Sequence, residues 1–72
     1  MGDREAELVK QIETGKRAWK APAETKDALV RFQRAVVLPL RKLAKAGGFQ
    51  LVEHAETYRG ARFIVRVEVR EL

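Results

Sequence analysis

Residue types that carry out covalent or acid–base chemistry are scarce in this chain. It contains no serine, asparagine or cysteine, so the nucleophilic hydroxyls reduce to Thr14, Thr25 and Thr57, each equally suited to capping or turning. His54 is the one histidine, beside Glu53 and Glu56. A lone histidine cannot assemble the ligand set of a catalytic zinc, and a solvated or cross-strand role accounts for it. Gly47-Gly48 is not followed by Lys-Ser or Lys-Thr, so the phosphate-cradling loop of nucleotide hydrolases is absent. The sequence therefore predicts no catalytic residue, no metal site, no cofactor and no small-molecule substrate, and the protein is not read as an enzyme.

What remains is charge. From Ala28 to Val52 there is no Asp or Glu, while Arg31, Arg34, Arg41, Lys42 and Lys45 fall on one arc of a helix drawn through Thr25 to Gly48. A face built for solubility alone mixes signs to gain neighbouring ion pairs. This one does not, and it carries Leu38 near its centre, so the pattern predicts contact with a polyanion. The competing expectation is a protein interface or dimer surface using Val30, Val37, Leu38, Val52 and Ile64, with apolar residues at the centre and cations at the rim.

These cations are positioned by a helix whose opposite side, Leu29, Phe32, Val36, Leu40 and Leu43, repeats at spacings of three and four and reads as a core face. Pro39 interrupts it, having no N–H for the Ala35 carbonyl and a ring that crowds that carbonyl. Two solutions are open: one kinked helix, which keeps the apolar phase, or two shorter helices with Pro39 opening the second. Gly47-Gly48 closes the helix. Upstream, about 3–20 reads as a first helix with Asp3 as N-cap, which Gly15 either weakens in its last turn or ends near Thr14. Trp19 reads as its buried anchor, the alternative being an exposed aromatic for stacking on a base. Ala21-Pro22-Ala23 marks a linker over about 21–24. The basic helix occupies about 25–46, opening at Pro22 or at a Thr25 cap.

Beyond the glycines the period changes to two. Phe63, Val65, Val67 and Val69 alternate with polar residues, which predicts a strand, and Phe49 to Thr57 pairs with it to give a C-terminal antiparallel hairpin over about 49–71. A three-residue loop, Tyr58-Arg59-Gly60, sets Phe49 opposite Val69, Leu51 opposite Val67 and Ala55 opposite Phe63, leaving only Glu53 out of place on the inner face. The expected fold class is thus α+β, with two helices, the second long, basic and kinked or split at Pro39, followed by the hairpin in a single small domain.

At 72 residues the core is thin, and without cysteines no disulfide can supplement it, which makes a homodimer an expectation. Fifteen Lys and Arg against ten Asp and Glu give a formal net charge of +5. The longest apolar run, Ala35 to Leu40, is far short of the roughly 20 residues of a membrane span. No secretory leader is legible, and the expected location is the cytoplasm.

The order of LPLRKLAKAGG, then FQLVEH and RFIVRVEV with Arg59 at the tip between them, resembles the C-terminal half of a winged helix-turn-helix DNA-binding domain. That resemblance implies a recognition helix, two wing strands and a wing tip reaching a groove or phosphates. Together with the charge pattern it leads to the expectation of a regulatory nucleic-acid-binding protein acting in transcription. Its partner would be double-stranded DNA, held at the phosphates by Arg31, Arg34, Arg41, Lys42, Lys45 and Arg59.

Overall fold

A computed structural model describes residues 3–71. Helix α1 (Asp3–Glu13) stops because Gly15 takes φ +105°, a left-handed conformation that suits glycine. The N–H of Gly15 then donates to Ile12 O (3.0 Å) and that of Lys16 to Gln11 O (2.9 Å), the paired bonds of a Schellman stop. The first helix is therefore shorter than the sequence suggested, and the capping expected of Asp3 concerns a side chain outside those described. The chain reverses into β1 (Ala18–Lys20), which delivers Trp19 to the core from a strand rather than a helix. The Trp19 Nε1 N–H donates to Gln11 Oε1 at 3.0 Å, so its polar edge is satisfied on α1.

The basic segment runs without interruption over 26–46 as helix α2, built of α-helical Lys26–Phe32, π-helical Gln33–Val37 and α-helical Leu38–Ala46. Thr25 caps it: its Oγ1 accepts from the Ala28 N–H at 3.2 Å. The Ala35-Val36-Val37 stretch, where a helix-turn-helix would bend, is helical throughout. Pro39 is accommodated by the wider turn before it, in which the Leu38 N–H reaches back five residues to Gln33 O. The Ala35 carbonyl that Pro39 cannot serve is taken by Arg4 of α1, whose Nε donates to it at 2.7 Å. Of the two solutions open in the sequence, the chain thus adopts the continuous helix. The extra residue in the π turn also advances the apolar phase, so that Val36 and Val37 are both buried with Leu29, Phe32 and Leu40.

β2 (Phe49–Tyr58) and β3 (Ala61–Glu71) complete a three-stranded antiparallel sheet of order β1-β3-β2, so the expected hairpin gains a third strand from the region first assigned to α1. The loop is two residues, Arg59 at φ 49° and Gly60 at φ 82°, the left-handed pair that matches strand twist. At the tip Glu56 pairs with Phe63, and beyond an irregularity at His54/Ala55 the register becomes Glu53 with Val67 and Leu51 with Val69. Val65 is the extra residue of this bulge. It restores the inward phase of Val67 and Val69 and moves Ile64 to the core face, where it packs against the buried cluster. The three-residue loop and its register are corrected accordingly.

The bulge is held by Gln33, whose Nε2 donates to Ile64 O (2.7 Å) while its Oε1 accepts from the Ile64 N–H (3.3 Å). The core lies between both helices and one sheet face, joining Leu8, Trp19, Phe32, Val36, Val37, Leu40, Val67 and Val69.

Candidate nucleic-acid interface

The exposed side of α2 carries Arg31, Arg34, Leu38, Lys42 and Lys45 in succession, since the residues that point inward fix those that point out. Arg31, Arg34 and Lys45 have no ion-pair partner among the described residues. Lys42 lies 4.0 Å from Glu5 with its own side chain 77% exposed, a contact too solvated to hold it. Arg4 of α1, paired with Glu7 at 2.7 Å, lines with Glu5, Arg34, Leu38, Pro39 and Lys42 a shallow groove where the two helices meet. At 1.5 Å rise per residue the row from Arg31 to Lys45 is about 21 Å long.

Two of the six cations read from the sequence are placed elsewhere. Arg41 turns toward β2 and makes a bidentate pair with Glu53, Nε to Oε2 at 2.7 Å and Nη2 to Oε1 at 2.6 Å. Glu53 sits on the helix-facing side of β2 opposite Val67, the position that looked anomalous in the sequence. The Arg41 hydrogen bonds hold its carboxyl below the usual carboxylate range, and the same contact raises Arg41 above its ordinary value. Arg41 is thus committed to the fold. Arg59 stands at the hairpin tip with its guanidinium 5.7 Å from the Tyr58 ring centre, and it shares a small hollow with Lys26, at the start of α2 and remote from Lys45.

Of the residues expected at a protein interface, Leu38 is exposed at 52%, Val30 and Val52 are half-buried, and Val37 is buried at 1%. Ile64 is half-buried and packs against the core cluster. The π turn and the bulge, which moved Val37 and Ile64 inward, leave no signature in an apolar period. Sequence reasoning also missed Arg4, which lies in an ordinary amphipathic helix and is recognisable only once Ala35 O is known to lack its donor.

On the outer sheet face one carboxylate is shared by several basic groups. Glu68, at the centre of that face, meets Arg66, Arg70 (3.6 Å) and His54 (3.7 Å). Among the described residues no group of three or more His, Cys, Asp or Glu converges to hold a metal, and no helix is long and apolar enough to cross a membrane. Comparison of the chain with family models, curated proteins and solved structures finds no match in any of the three.

Proposed function

We infer that the protein binds double-stranded nucleic acid, DNA in the first instance, by laying the exposed side of α2 along the phosphate backbone. One observation carries this: Arg31, Arg34, Lys42 and Lys45 form an outward row on a rigid helix, with no carboxylate of that helix interleaved. Phosphate contacts of this kind supply affinity and register without reading bases. With 26–46 helical throughout there is no turn ahead of Leu38–Ala46, so the likeness to winged domains is confined to a basic helix followed by a hairpin. The helical path through 33–37 favours contact along the side of α2 over insertion of a short recognition helix. Gln33, the one amide on α2 able to pair with adenine, is occupied by Ile64, which favours a weak sequence preference.

The test is paired charge reversal. Arg34→Glu with Lys42→Glu should abolish duplex binding, whereas Arg66→Glu with Arg70→Glu, on the outer sheet face, should leave it within a few-fold. Equal loss from both pairs would refute a site on α2. A second reading rests on Leu38, whose exposure amid cations suits a protein contact. Under it Leu38→Asp breaks self-association in sedimentation.

A further inference from the structure

A groove of about 530 Å³ runs between β1 and the first half of α2, away from the Arg34–Lys42 surface. Its apolar lining includes Trp19, Phe32 and Val36, and Lys16, Lys20 and Arg31 line it against the single carboxylate of Asp27. One wall is a sheet edge. β1 pairs only with β3, and the bonds run through alternate residues: the Val69 N–H donates to Arg17 O (2.7 Å) and the Ala21 N–H to Val65 O (2.9 Å). Trp19, in phase with Arg17 and Ala21, faces Val67 in the same way. Ala18 and Lys20 are out of phase, so their N–H and C=O groups point away from β3, along the groove.

We propose that this edge and groove bind an extended acidic peptide segment of a partner protein, which adds to β1 as a fourth strand and places alternate apolar side chains over Trp19 and Phe32. Backbone pairing to an open edge supplies affinity, and pockets for alternate side chains supply selectivity. The charge balance fixes the partner. Three cations against one carboxylate attract glutamate or aspartate, and they repel a second copy of β1, which would bring Lys16, Lys20 and Arg31 against their own duplicates. A single-stranded nucleic acid satisfies the charge but has no strand backbone to pair with Ala18 and Lys20.

The probe is a short acetylated and amidated peptide of alternating glutamate and valine, titrated into the intact protein at low salt. Trp19, the only tryptophan, lines the groove and reports occupancy by fluorescence. The expected result is a saturable change in emission with downfield movement of the Ala18 and Lys20 amide protons. The same peptide N-methylated on the edge that meets β1 should bind about tenfold more weakly or worse, each lost backbone bond contributing its share. Lys20→Glu should weaken binding of the unmethylated peptide by a similar factor. Equal binding of the methylated peptide would overturn strand addition. Absence of a saturable change would overturn the site, and so would a single-stranded oligonucleotide that moves the Ala18 and Lys20 amides where the peptide does not. Arg31, Arg34, Lys42 and Lys45 are untouched throughout, so duplex affinity remains an independent readout.

Discussion

Arg41 and Arg34 stand seven positions apart on one helix and do different work, because only Arg41 has a carboxylate within reach. Its pair with Glu53 ties the second half of α2 to β2 and neutralises a charge on the inner sheet face. Since Glu53 is held below its ordinary value in the folded state, the stabilisation is present above the usual carboxylate range and is lost as pH falls through the folded value. Arg41→Met should cost about 0.5–1 kcal/mol near neutrality, a figure reduced for the solvent around Arg41. In denaturant melts across pH, the difference from the parent should shrink on acidification; a difference independent of pH would contradict the assignment. Arg4 has an equally specific role. Arg4→Ala should cost about 1 kcal/mol by orphaning Ala35 O, whereas Pro39→Ala, with that carbonyl already served, should change stability by less than about 1 kcal/mol. In the Pro39→Ala background alanine supplies the missing N–H, so Arg4→Ala should cost less there. A double-mutant cycle with no coupling would show that Arg4 does not stand in for the proline's absent donor.

At the scale of elements, the hairpin turn holds a local conflict. Arg59 occupies a left-handed position that asparagine accepts more readily. Arg59→Asn should raise stability by about 0.5–1 kcal/mol, seen as a higher melting temperature, and leave duplex affinity unchanged because Arg59 shares its hollow with Lys26 and not with the Arg31–Lys45 row. A fall in affinity would return Arg59 to the binding surface. The same hairpin shows what a sequence makes legible. Alternation in 62–70 identified β3, and the spacing of Leu29, Phe32, Val36 and Leu40 identified the core face of α2, because burial imposes those periods directly. The Val65 bulge exchanged the faces of Phe63 and Ile64, and the π turn drew Val37 inward. A single added residue shifts the phase without changing composition, so neither event could be read from the pattern. Gly15 was visible as a weak point of a helix, but its function as a stop depended on β3 being present to receive β1. The cations of the candidate surface were legible as a one-signed stretch. That Arg41 would leave it depended on Glu53 lying across the sheet interface, a contact twelve residues away in sequence.

The whole molecule measures 35 × 25 × 19 Å and carries a cationic row on α2, an outer sheet face where Arg66 and Arg70 share Glu68, and a groove at the β1 edge that meets the row at Arg31. The α2 row gathers four of the chain's fifteen Lys and Arg, a local field that steers a polyanion toward α2. Titration of a fluorescent DNA duplex with the intact protein across a series of salt concentrations tests this most directly. Contact of Arg31, Arg34, Lys42 and Lys45 with one phosphate each predicts a plot of log affinity against log salt with a slope of about −3.6, made shallower by about 1 in Arg34→Ala. No binding at low salt, or a slope that Arg34→Ala leaves unchanged, would contradict the account.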